Sequence, residues 1–413
     1  MKKRKWIIKL KKVVSSQIFT VVISLIIILV IVQLNIVKSD LSELIKLNIV
    51  LSVGIVSVVS WLIQLIEQFI EKRTEEKLKL NDNTEELKKI YVKEKLHEIG
   101  GQETPLVVCI PQTAKISLTL SSELFALDPR IIANMNSIMN SHRNSKFDNK
   151  PILRVNDLIY DPNSSSYQLI VSPSEQYNTL LTNKAMDASI VKHVTVRDLF
   201  EYGPRLSSFK QSKLANGVGL CVLAQTSDGY FLLLRRTDKN PTGKNIAGSC
   251  FSILYDKYTD SHRSDYQNNP DFYEYVLKQS IYRGIANKLC VFNEDQYDEK
   301  AIDLKNAKLL GMVRNLIEGG KPELVYYYRL SQKLDEVKAA FKNNKKKKSG
   351  VKKLIYFTKE EVKYVKPNKI CLNKKRYELS VVTSYAIDEA IKSITNLAEL
   401  NKTKKGANDD DQI

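Results

Sequence analysis

Apolar and polar positions divide this chain sharply at residue 66. Residues 13–37 and 47–66 are uncharged, mostly apolar runs of 25 and 20 residues joined by nine, and no later stretch resembles them. At about 1.5 Å rise per helical residue, some 20 residues cover the roughly 30 Å hydrocarbon core of a bilayer. The pattern therefore predicts a two-helix transmembrane hairpin with an external loop at 38–46. A cleaved secretory signal fits less well, because its apolar region is about 7–15 residues long and ends at a small-residue site.

Charge sets the expected orientation. Lys2, Lys3, Arg4, Lys5, Lys9, Lys11 and Lys12 fill the leader 1–12, and Lys72, Arg73, Lys77 and Lys79 follow the second run. The loop between holds only Lys38 and Lys46 against Asp40 and Glu43. By the positive-inside rule both termini lie in the cytoplasm and the chain in the cytoplasmic (inner) membrane. Gly54, Ser57, Ser60 and Gln64 share one helical face whose small and polar side chains suit helix packing in lipid, so self-association through it is expected.

After residue 66 the periodicity becomes globular. Residues 67–103 are charged with sparse apolar positions and read as a helical stalk, restarted where Asn83 and Glu86 form a capping pair. In 104–150 a strand is predicted at 104–111 and a helix at 121–141 interrupted at Pro129; this segment is either a small domain or an extension of a sheet. From 151 onward strands alternate with turns. Asp161-Pro162-Asn163 separates strands at 153–160 and 167–172. Ser227-Asp228-Gly229 is a strong hairpin signal between 219–225 and 230–236. Residues 245–254 form a further strand. A helix opens at Pro270 with Asn269 as its cap and runs to 289. Gly319-Gly320 joins strands at 308–314 and 324–330. A helix at 333–342, a strand at 354–357 and a closing amphipathic helix at 377–400 complete a predicted sensor domain over 151–400. Residues 401–413 are too polar to pack and read as a disordered tail.

Composition narrows the function classes. The formal net charge of the 413 residues is +18, which suits anionic partners such as lipid headgroups or nucleotides. The lysine run at 345–348 reads as a solvated loop. Cys109, Cys221, Cys250, Cys290 and Cys371 are widely spaced, without a C-x-x-C pair, and read as reduced thiols. The four histidines are equally dispersed, and neither a zinc pattern nor a Walker loop occurs. No metal and no cofactor is expected.

The runs "SKLANGVGLCVLAQTSDGYFLLLRR", "IAGSCFS", "YVLKQSIYRGIANKLCV" and "NAKLLGMVRNLIEGGKPELVYYYRL" together resemble the Nudix hydrolases, over about 151–342. The resemblance implies an α/β sandwich on a mixed sheet. In that family the box G-x5-E-x7-R-E-U-x-E-E-x-G-U gathers carboxylates on one helical face, where they hold Mg²⁺ against a diphosphate. Aligned on Arg283, the acid positions here are Gly284, Asn287 and Lys288, and the glycine positions are Asn269 and Cys290. A lysine repels the ion, so the domain is expected to be a non-enzyme. Lys288 would stand where the metal's charge stood. Arg235, Arg236, Lys244, Arg283 and Arg314 are expected to hold phosphate with it, and Tyr282 and Tyr328 to stack bases.

A membrane hairpin joined to a degenerate domain of this kind resembles the transmembrane Nudix-type effectors of CBASS, the cyclic-oligonucleotide anti-phage systems. That resemblance implies a cyclic di- or trinucleotide ligand made by a functionally paired cyclase (a CD-NTase). It also implies disruption of membrane lipid by the hairpin and abortive infection. The rival expectation is a membrane-tethered Nudix hydrolase acting on a nucleoside diphosphate derivative.

Overall fold

The computed structural model describes residues 80–142, 149–191, 194–236, 246–254, 272–292, 298–343 and 351–394. The chain divides into two compact units, Met1–Lys77 and Leu78–Ile413, and the described residues all belong to the second.

In chain order the strands are β1 Glu98–Ile99, β2 Gln102–Glu103, β3 Leu106–Pro111, β4 Lys115–Leu120, β5 Pro151–Asp161 and β6 Ser166–Glu175. They continue as β7 Ser189–Val191, β8 Val194–Thr195, β9 Gly219–Gln225, β10 Phe231–Arg236, β11 Ala247–Gly248 and β12 Cys250–Ile253. The last group is β13 Ala307–Asn315, β14 Lys321–Arg329, β15 Val351–Phe357, β16 Val362–Lys366, β17 Lys369–Leu372 and β18 Lys375–Glu378. The central sheet runs β11-β10-β9-β14-β13-β3, with β12 also on β9 and β15 also on β10. β9 and β14 are parallel, from Glu323 opposite Gly219 to Arg329 opposite Gln225, and the other pairings are antiparallel.

Period-two alternation builds two cores from one sheet. Leu220, Val222 and Ala224 of β9 and Leu324, Tyr326 and Tyr328 of β14 point to the face covered by the helix Phe272–Leu289. That core is shared with the small sheet β4-β6-β5 through Leu118, Leu169 and Val155. Cys221, Leu223 and Val325 point to the opposite face, which the helix at 381–394 covers with Val382, Tyr385, Ala386 and Ala390. The expected mixed-sheet α/β core is therefore present.

The membrane part of the expected fold is corrected. Among the described residues no helix is long and apolar enough to cross a membrane. The 18-residue helix Phe272–Leu289 carries Glu274, Lys278, Arg283 and Lys288, too many charges for a span. The hairpin expected at 13–37 and 47–66, with its face of Gly54, Ser57, Ser60 and Gln64, lies outside the described residues. Among the described residues the fold class is an α/β mixed-sheet core, and no described helix supports the expected assignment to the cytoplasmic membrane.

The stalk is also corrected in its described part. Asn83 does cap a helix, accepting from Glu85 N, but Thr84–Ile90 is only seven residues long. Leu87 and Tyr91 are fully buried, and β1 and β2 form a small hairpin. Tyr91 Oη donates to Glu201 O (2.9 Å), and Arg197 Nη1 donates to both Tyr91 Oη (3.0 Å) and Leu316 O (2.8 Å). The segment is thus fastened onto the domain. Residues 104–120 extend the sheets, β3 pairing with β13 and β4 with β6. The helix expected at 121–141 is two short helices, Pro129–Ala133 with Asp128 as cap and Met135–Ser141. The closing helix begins later than expected, because Lys375–Glu378 forms β18 against β17.

Candidate ligand cleft

The helix Phe272–Leu289 covers most of the stretch aligned above with the Nudix box and carries none of that box's acids at the aligned positions. Gly284 is buried, and Asn287 and Lys288 are half-buried at the positions where carboxylates would be required. Cys290 follows the helix at φ +62°, a left-handed conformation that favours glycine, and it stands where the box has its glycine.

The residues expected to bind ligand are dispersed. Tyr282 is 2% exposed and stacks on Phe292 with ring centroids 5.0 Å apart, and Tyr328 is 3% exposed in the same core. Neither ring is open to a base. Arg314 is buried, donates from Nε to Gly320 O (3.1 Å) and lies over the Phe209 ring at 4.4 Å. Arg236 lies over the Phe251 ring at 5.1 Å, and burial lowers its pKa against the attraction of Glu318 and Glu323. Arg235 is half-buried opposite Lys353 on the neighbouring strand. Arg283 and Lys288 lie half-buried on the helix, and Lys244 lies outside the described residues.

Part of the positive charge is consumed internally. Lys321 pairs with Glu323 and stands 3.7 Å from Glu318. Burial opposes its charge, but Glu323 and Glu318 outweigh that and hold its pKa above the usual lysine value. The pair fits because position 219 is glycine: a Cβ there would fall 1.8 Å from Glu323 Oε2.

The other end of the sheet is built differently. A cleft of about 490 Å³ opens where β9, β13 and β14 meet the helix at 381–394. Lys305, Lys308 and Arg329 line it, all exposed, together with Gln225, Tyr327 and Ser393. No Asp or Glu is among its lining residues. Hairpin register makes the cluster, since Lys308 stands opposite Tyr327 and Arg329 is two residues further along β14. Tyr327 Oη donates to Gln225 Oε1 (2.5 Å), which fixes the ring, and burial raises its pKa so that the phenol stays neutral. Arg329 Nη2 donates to Ser227 O (3.2 Å), and Ser393 Oγ donates to Gln112 Oε1 (2.9 Å).

Three cations beside an oriented aromatic ring can hold phosphate oxygens and a base. The sequence reading selected Tyr328, one residue out of phase with the cleft's Tyr327. The three cations are not contiguous in sequence, and only the pairing register reveals them. Elsewhere, the ligand atoms of His97, Asp388 and Glu389 lie within 4.8 Å of one another. No family model matches the chain, and no curated protein matches it either.

Proposed function

We propose that the described domain is a nucleotide sensor that binds a cyclic di- or trinucleotide without cleaving it, the role implied by the resemblance to CBASS effectors. The basic cleft of Lys305, Lys308, Arg329 and Tyr327 is the single observation that carries this reading. A cyclic oligonucleotide offers one phosphate charge per nucleotide and flat bases, which matches separated cations around a fixed ring. A charge-assisted hydrogen bond contributes roughly 1.5–3 kcal/mol. The absence of carboxylates at Gly284, Asn287 and Lys288 supports binding without metal-assisted hydrolysis.

The test uses the full-length protein and a panel of cyclic di- and trinucleotides. A ligand that binds only the native state raises stability by RT ln(1 + [L]/Kd). The expected outcome is a concentration-dependent rise in melting temperature with at least one of them, and no Mg²⁺-dependent release of mononucleotide. Turnover of the ligand, or equal melting curves with and without every member of the panel, rejects the reading.

A further inference from the structure

A second cluster shares the helix at 381–394 with the basic cleft, but none of its residues is among those that line the cleft. His97 precedes β1, and Asp388 and Glu389 are consecutive on the helix at 381–394. His97 Nε2 stands 3.8 Å from Glu389 Oε1, too far for a hydrogen bond, and is fully buried without a hydrogen-bond partner. Its backbone is tightly held: the N–H donates to Leu106 O (2.8 Å), and the carbonyl accepts from Thr104 N and Thr104 Oγ1, both at 2.8 Å. The ring meets Tyr385 edge-on at 4.9 Å, and Tyr385 Oη is itself anchored on Leu310 O at 2.8 Å. The imidazole nitrogen is thus aimed at two carboxylates by groups that cannot easily turn.

The positive charge now at the acids comes from Lys392, whose Nζ is 2.6 Å from Asp388 Oδ2 and 2.9 Å from Glu389 Oε1. Its side chain is half exposed, unlike those of His97, Asp388 and Glu389, which are 19%, 17% and 12% exposed. The ammonium can swing into water on its flexible stem; the three ligand atoms cannot. It forms no hydrogen bond with the buried nitrogen, which keeps His97 Nε2 without a partner.

We propose that His97, Asp388 and Glu389 form a site for a divalent transition ion of the Zn²⁺ class, with Lys392 as its resident competitor. One imidazole nitrogen and two carboxylate oxygens supply the donor types of such a site, and their spread of up to 4.8 Å would draw in around an ion with bonds of about 2.0–2.2 Å. The nitrogen donor disfavours Mg²⁺ and Ca²⁺, which take oxygen ligands. Ligation would satisfy His97 Nε2 and release Lys392 to solvent.

Co²⁺ titration of the full-length protein, followed by visible absorbance and with Zn²⁺ as displacing ion, tests the site. One Co²⁺ per chain should bind and be displaced by Zn²⁺. His97→Ala should lose at least tenfold in affinity, whereas Lys392→Met should gain at least tenfold because the competing ammonium is gone. The second variant decides the matter if the first does not fold. Co²⁺ affinity unchanged by both substitutions, weaker binding in Lys392→Met, or no binding by the wild type overturns the proposal. Nucleotide binding at the cleft is read separately, so either idea can fail alone.

Discussion

Two single positions carry stability that can be read from their surroundings. At Gly219 a methyl group would fall on the Glu323 carboxylate, which pairs with Lys321 inside the domain. Gly219→Ala should displace that carboxylate and cost about 1–3 kcal/mol, the penalty for an unsatisfied buried polar group, in urea unfolding. His142 is buried with its Nε2 unpartnered, and burial together with the charge of Lys184 lowers its pKa below 6.5. As pH falls through 6.5 the unfolded chain takes up a proton that the fold resists. The contribution is therefore intact above that pH and lost on acidification. His142→Gln should flatten the melting temperature between pH 7 and pH 5, relative to wild type.

At the scale of elements, the sequence was most informative where local chemistry and period agreed. The strand at 219–225 and the turns at Asp161-Pro162-Asn163, Ser227-Asp228-Gly229 and Gly319-Gly320 all occur where turn residues bound apolar alternation. Pairing partners were not legible. The Ser227-Asp228-Gly229 turn joins β9 and β10, yet they pair only at Phe231 and Gln225 before β12 takes up β9 and β15 takes up β10. Long-range partners are chosen by which apolar faces meet, not by local spacing. The same limit hid the site: Tyr282 and Tyr328 have the right chemistry but face a core, and the cleft cations meet only through register. Cys290 gives the helix scale its own test. Its left-handed backbone costs a side chain about 1–2 kcal/mol, so Cys290→Gly should stabilise the domain modestly in chemical denaturation.

Across the whole molecule, the net charge of +18 is distributed with different consequences. Arg314, Arg236 and Lys321 are spent inside the domain against aromatic rings or acids, where they fix geometry. Lys305, Lys308 and Arg329 remain exposed around a fixed tyrosine at the far end of the same sheet. Of these two groups the second is the one open to a soluble polyanion, and its proposed role as the nucleotide site is the centre of the account. Equilibrium dialysis of the full-length protein against the cyclic nucleotide that raises its melting temperature most, compared with Lys308→Glu/Arg329→Glu, tests it most directly. We predict saturable binding by the wild type, weakening with added salt, and at least tenfold weaker binding by the double variant at unchanged melting temperature without ligand. Equal affinity in the two proteins would contradict the account and move the ligand elsewhere.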